Sequence, residues 1–393
     1  SYRLNNPIDN LQNFLLNMIV YISLTMVHPI TPKFINENNL PTFYFGLLQG
    51  CLNISTFISA PTFGIICNIY GKKITMLISL IGYTIGQIIF GFFPNNVSVI
   101  IARIISGIFI AGYFVSSMAY VSSITPVKLK LKKISYFNAS NSIGVILGSL
   151  IGGILGINDY KLTFFTQISI SLLSIILITI LFKDNTPKNK DSKFTLKILN
   201  FKDLSKIKKS NKFVYLILLI MILTFLAIQG YASTISYYVE DILNLPTSIN
   251  GVILGSSGMF TLITNLIIIP IVGKKFNSKS LYMFSILLSG SSILIAMSVT
   301  NQYITVIALL IFIITHTLIT PTIQTLLLEN STQNQGEILG IQNGFKAIGS
   351  FLGSILSGLL FNVWFKLPFI VIGLSLILSF IILKSFKEKS PHH

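Results

Sequence analysis

Apolar residues in this chain form long uninterrupted runs, and polar residues collect in the short stretches between them. A helix needs about 20 apolar residues to cross roughly 30 Å of hydrocarbon. Twelve runs meet that length: 13–33, 44–67, 74–94, 97–119, 135–157, 162–182, 213–235, 248–272, 280–299, 303–327, 338–361 and 366–384. The predicted fold is therefore an all-α integral membrane protein of twelve transmembrane helices. A polar stretch, 183–212, splits them six and six.

The two sets look like copies. Gly144-Val-Ile-Leu-Gly148-Ser149-Leu-Ile-Gly152-Gly153 returns 205 positions later as Gly349-Ser-Phe-Leu-Gly353-Ser354-Ile-Leu-Ser357-Gly358. Small residues four apart let helix backbones approach closely where lipid supplies no hydrophobic drive. Their recurrence inside two spans is the mark of a duplicated transporter. The expected domains are two pseudo-symmetric six-helix bundles, 1–182 and 213–390, joined by the linker 183–212. Residues 391–393 (Pro391-His392-His393) read as a tag remnant.

Composition agrees. Mean hydropathy is +0.78, and only 10% of residues are charged, too few to cover a soluble domain of 393 residues. The net charge of +17 suggests nucleic acid until the lysines are placed. Arg3, Lys72, Lys73, Lys128, Lys130, Lys132, Lys133, the ten lysines from Lys183 to Lys212, Lys274, Lys275, Lys279, Lys384, Lys387 and Lys389 fall on alternate connections. The intervening connections hold only Lys33, Lys161 and Lys366, beside Glu37, Asp159, Glu240 and Asp241. By the positive-inside rule both termini and the linker are cytoplasmic, and the charge is a topology signal with no nucleic-acid partner. No cleavable signal peptide is expected. Within the linker, Phe194, Ile198, Phe201 and Leu204 sit near helical spacing among lysines, either as a basic helix on the anionic leaflet or as a solvated tether. Cys51 and Cys67 suggest neither a disulfide framework nor a metal site.

Several motifs carry a family resemblance. Gly64-Ile-Ile-Cys-Asn68-Ile-Tyr-Gly71-Lys72-Lys73 resembles the loop signature Gly-x-x-x-Asp-x-x-Gly-Arg/Lys-Arg/Lys of the major facilitator superfamily. Here Gly64 is expected to allow tight packing, Gly71 a sharp turn, and Asn68 to cap a helix end in place of the acid. Gly273-Lys274-Lys275 is a degenerate second copy. Arg103-Ile-Ile-Ser-Gly107 is similar to the family's intramembrane Arg-x-x-x-Gly motif. Gly144, Gly148, Gly152 and Gly153 resemble its antiporter motif, Gly-x-x-x-Gly-Pro-x-x-Gly-Gly, with Ser149 in place of the proline. Pro29, Pro32, Pro61 and Gln335-Gly336 are further traces. The antiporter motif marks the twelve-helix drug:proton antiporter (multidrug efflux) branch.

The resemblance implies a central cavity lined chiefly by helices 1, 4, 7 and 10, and polar stripes support it independently. Asn17, Tyr21, Thr25 and His28 share one face of helix 1; Gln229, Ser233 and Ser236 share one of helix 7. His316, Thr320 and Gln324 do so on helix 10, while Gln49 and Asn53 on helix 2 and Gln342 and Lys346 on helix 11 extend the set. Polar stripes in lipid turn inward, either as interhelical glue or as cavity lining. All eleven carboxylates fall in loops or at helix ends, leaving Arg103, His316, Lys346 and His28 as the deep ionisable groups. Histidine changes charge near neutral pH, so His316, with Arg103, is the candidate for proton coupling.

The expected function is secondary active export of small organic molecules, a drug or a metabolite, by proton antiport with alternating access. Two alternatives stay open: export of an endogenous anionic metabolite such as a siderophore, and nutrient import or facilitation on the same fold. No enzyme is expected, since neither a His/Asp/Glu metal cluster nor a nucleophile with its base appears. No cofactor is expected either, and no Gly-x-x-x-x-Gly-Lys-Ser/Thr phosphate loop is present to use ATP. The expected partners are substrate, protons and the lipid bilayer, with the chain acting as a monomer in the cell membrane.

Overall fold

The computed structural model describes residues 7–124, 130–182, 211–273, 275–299, 302–331 and 335–386, and all of the regular structure in them is helical. The linker helix expected near 194–204, most of the linker lysines and the terminal histidines lie outside the described residues. The first repeat comprises α1 (Pro7–Thr25), α2 (Thr31–Glu37), α3 (Tyr44–Tyr70), α4 (Lys72–Phe92), α5 (Asn96–Ile124), α6 (Lys130–Leu155) and α7 (Tyr160–Leu181). The second comprises α8 (Lys212–Tyr237), α9 (Thr247–Ile263), the short α10 (Ile269–Val272), α11 (Ser278–Ser298), α12 (Gln302–Asn330), α13 (Gln335–Val363) and α14 (Leu367–Ser385). Shifted by the 205 residues that separate the glycine motifs, the long helices of the first repeat fall on those of the second to within a few residues.

Side-chain caps set several helix starts. The Asp159 carboxylate accepts from the Lys161 N–H at 2.8 Å to open α7, and Asn277 accepts from the Ser280 N–H at 2.8 Å to open α11. Asn211 accepts from the Phe213 and Val214 N–H groups at 3.0 and 3.1 Å at the start of α8. The span expected at 13–33 is corrected: α1 stops at Thr25, and the chain turns before α2 starts at Thr31. Pro29 and Pro32 explain the break, because proline lacks the N–H of a helix interior and disfavours helical backbone in the residue before it. Two further helices change register. Tyr238–Ile242 follows α8 as a π-turn, and Thr264–Ile268 links α9 to α10, where Pro270 lacks an amide to donate.

Among the described residues eleven helices are long and apolar enough to span a bilayer. Of the twelve long helices described, α1 is the one outside that set, with Asp9, Asn10, Gln12, Asn13 and Asn17 among its 19 residues. Isoleucines 78, 81, 85 and 88 of α4 point outward, as do Phe165, Leu172, Ile176 and Ile180 of α7. In water such stripes would drive aggregation; against acyl chains they cost nothing.

The chain divides into two compact units that do not coincide with the sequence repeats. Unit 1 holds 1–44, 51–198 and 236–262, so α9 packs with first-repeat helices. Its core joins Leu16, Val20 and Leu24 of α1 to Met76 and Leu80 of α4, Ile110 and Tyr113 of α5, and Ile178 of α7. A second aromatic cluster sets Phe34 4.6 Å from Phe90 and 5.7 Å from Phe164. Unit 2 holds 45–50, 199–235 and 263–393. It is tied by Thr224–Tyr282 (2.6 Å) and Ser289–Thr315 (2.8 Å) hydrogen bonds.

Candidate functional site

The glycine motifs form close helix seams, and each engages two partners. In unit 1, Gly144, Gly148 and Gly152 of α6 face Met18 and Ile22 of α1 and Met26 just beyond it, so near that a side chain at Gly152 would run into the Met26 carbonyl. The next residue, Gly153, faces α9, where a β-carbon would come within 2.9 Å of the Gly251 Cα. In unit 2, Gly349 and Gly353 of α13 face Ile222 and Leu226 of α8, and Ser354 and Gly358 face Gly46 of α3. Gly46 and Gly251 are themselves 205 residues apart. One contact differs between the repeats. Gly152 lies against the Met26 backbone carbonyl, whereas its equivalent Ser357 sets its hydroxyl against Gly230.

The loop motif behaves as expected at one residue and not at two. Gly71 takes φ +97°, the left-handed region that favours glycine, and Lys72 opens α4 beside it. Lys73 donates to the Thr179 carbonyl at 2.7 Å. The tight packing expected at Gly64 is corrected: outside its own stretch of helix, no described atom lies within 4 Å of where a β-carbon would sit. Asn68 is exposed, and α4 starts without a side-chain cap, so the capping role is corrected too.

In unit 1 the helix 1 stripe is bonded internally. Asn17, 2% exposed, donates to Ser140 Oγ at 2.7 Å and to Asn141 Oδ1. It accepts from the Tyr113 hydroxyl at 2.9 Å. Thr25 donates to the Tyr21 carbonyl at 2.8 Å, and Tyr21 stacks 5.9 Å from Phe114. Asn13, Asn17, Tyr113, Ser117 and Phe137 line a small cavity of about 10 Å³, room for one water at most. Asn53 is half-buried on α3, and Ser236 is buried in the last turn of α8, its carbonyl accepting from Asn250 at 3.1 Å.

Arg103 stands apart. It is 4% exposed on α5, with its guanidinium carbon 4.0 Å above the Phe90 ring, and Nε finds no hydrogen-bond partner among the described residues. His28, in the break after α1, lies within electrostatic reach of it. A cation–π contact returns about 0.5–2 kcal/mol, less than the several kcal/mol that burying an unpaired charge costs.

Unit 2 carries Gln49, Gln229, Ser233, His316, Thr320, Gln324, Gln342 and Lys346. Gln49, Gln229, Thr320 and Gln324 are half-buried, and Ser233 reaches Ser354 Oγ at 3.4 Å. His316 stacks on Phe312 at 5.3 Å and 2° and lies 5.7 Å from Tyr231. Its Nδ1 is 2.8 Å from the Ile313 carbonyl, a bond that requires the hydrogen on Nδ1. The neutral ring thus keeps Nε2 as an acceptor. Lys346 places its ammonium 4.9 Å above Phe225. Gln342 (1% exposed) and Tyr231 (3%) leave Oε1 and the hydroxyl without partners among the described residues. The sequence stripes did not single out Tyr231 as a site residue, and its contact with helix 10 residues 81 or more positions away could not be read from spacing. Among the described residues no group of three His, Cys, Asp or Glu side chains is placed to hold a metal.

The chain resembles known proteins over nearly its full length. It is 24% identical over 378 residues to Multidrug resistance protein 1 of Bacillus subtilis, covering 95% of each chain. It is 25% identical over 361 residues to the Quinolone resistance protein NorA of Staphylococcus aureus, covering 91% of each. The crystal structure of the nucleoside transporter NupG superposes with a TM-score of 0.78 at 14% identity, covering 96% of this chain and all of that one. The sequence signature of the Major Facilitator Superfamily matches residues 14–278 and 236–393. Helix pattern, repeat, motifs and signature agree, and the chain belongs to the major facilitator superfamily, a multi-pass membrane protein of that fold.

Proposed function

We propose that the protein is a secondary transporter that exports small organic molecules from the cell by proton antiport with alternating access. The observation that carries this is the end-to-end similarity to two proteins named for multidrug and quinolone resistance. The antiporter-type glycine seam on α6 supports the same branch. The lysine distribution supports cytoplasmic termini and linker. One charge moved through about 100 mV supplies roughly 2.3 kcal/mol, enough to hold a gradient near fiftyfold.

His316 is the proposed proton carrier, because Nε2 is its free basic site and no carboxylate is placed mid-span in the sequence. Arg103, a buried cation with no ion pair among the described residues, would stabilise anionic states near it. Expression in a host stripped of its own efflux pumps tests export directly. It should raise the inhibitory concentrations of a quinolone and ethidium and lower ethidium accumulation, with a protonophore reversing both. No change in resistance or accumulation sinks the reading, and a growth requirement for an external nutrient replaces it with import. In vesicles, His316→Gln should remove the dependence of transport on the proton gradient; an unchanged rate and pH dependence excludes the residue.

A further inference from the structure

We propose that α13 carries an anion subsite, with Lys346 as its charged anchor and Gln342 beside it, that selects aromatic carboxylates bearing a neighbouring hydrogen-bond donor. The inference rests on the export reading above and names a substrate class for it. Lys346 lies eleven residues, about 16 Å, along α13 from Gln335, well inside a membrane-spanning helix. Gly349, on the same face, packs on Ile222, yet the ammonium ends over Phe225, further from the helix start. The side chain is therefore directed inward and does not snorkel back. Among the described residues the ion pair formed is Lys33 with Glu37, at 3.7 Å and in the other unit, so Lys346 has no counter-ion there.

Gln342 precedes it by four residues and shares its face. The side chain is 1% exposed, and its Oε1 accepts from no described group. A buried amide oxygen without a donor is costly and uncommon in a settled core. The three groups present complementary demands. The ammonium calls for an anion, the amide oxygen calls for an O–H or N–H, and the Phe225 ring offers a flat apolar wall. A carboxylate on an aromatic ring with an adjacent hydroxyl meets all three, and a simple cationic dye meets only the last.

The test uses the full chain in phosphatidylcholine nanodiscs, with radiolabelled 2-hydroxybenzoate and 2-hydroxybenzamide as a pair differing in charge and little in shape. Wild type should bind the acid roughly tenfold or more tightly than the amide. Lys346→Gln should lose that preference, and Lys346→Arg should keep most of it. Unchanged acid binding in Lys346→Gln, or equal binding of acid and amide by wild type, overturns the subsite. Should Lys346→Gln fail to give monodisperse protein, the acid–amide comparison and Lys346→Arg still decide. Adding phosphatidylglycerol separates a substrate site from a lipid site. Abolished acid binding would assign the anchor to a lipid phosphate and overturn the substrate claim; retained binding supports it. Because binding is read without transport, loss of the export phenotype in cells would sink the parent reading alone.

Discussion

Asn17 and Lys346 carry the same sequence signal, a polar residue at helical spacing inside an apolar run, and the structure gives them opposite physics. Asn17 uses both ends of its amide on Ser140, Asn141 and Tyr113 and closes a network across α1, α5 and α6. Lys346 meets the Phe225 ring with no counter-ion among the described residues, and Gln342 Oε1 accepts from no described group. In lipid the first arrangement holds helices together, and the second is an unmet demand that a ligand can fill. Periodicity finds both and cannot tell them apart, because the distinction lies in partners distant along the chain.

Substitutions should separate them by sign. Asn17→Leu has the largest expected effect: it strands the Tyr113 hydroxyl and leaves Ser140 only its bond to the Phe137 carbonyl, lowering stability by about 1–3 kcal/mol. Thermal unfolding followed with a thiol-reactive dye suits this chain, since Cys67 is a buried thiol outside any disulfide. Combining it with Tyr113→Phe should cost less than the sum of the two, because the pair shares one bond. Lys346→Met should act in the other direction. Removing an interior charge relieves about 2.5–3.5 kcal/mol on insertion scales, the lost ring contact returns about 0.5–2 of it, and a net gain of about 0.5–3 kcal/mol remains. A lower unfolding temperature would mean that Lys346 has a partner and that the contrast with Asn17 is false. Gln342→Leu has the smallest expected effect, neutral to about 1 kcal/mol stabilising, since the acceptor it removes was unpaired. A loss comparable to that of Asn17→Leu would place Gln342 among the structural bonds.

Much of the architecture was legible from the apolar runs, because lipid forces each of them into one hydrogen-bonding solution. The limits were local. Pro29 and Pro32 were in view as family traces, yet the run 13–33 hid the break at 26–30, since Met26, Val27 and Ile30 are apolar and buried. The π-turns after α8 and within 264–268 left no mark in hydropathy. The repeat was visible in Gly144 and Gly349, and the same offset would have pointed to Gly46 and Gly251, their partners across the seams. Gly64 and Asn68 show the reverse failure: a motif fixes residue types, and the environment that gives them work is supplied by other segments.

The differing contact at Gly152 and Ser357 constrains how the two copies can be recombined. A segment swap that installed the α13 sequence in α6 would bring the Ser357 hydroxymethyl against the Met26 carbonyl, where there is no room for it. Because that obstacle is backbone, exchanging the side chains of α1 for those of α8 would not remove it. A transplanted module would have to bring its own helix spacing with it, so what limits recombination here is the distance between two backbones.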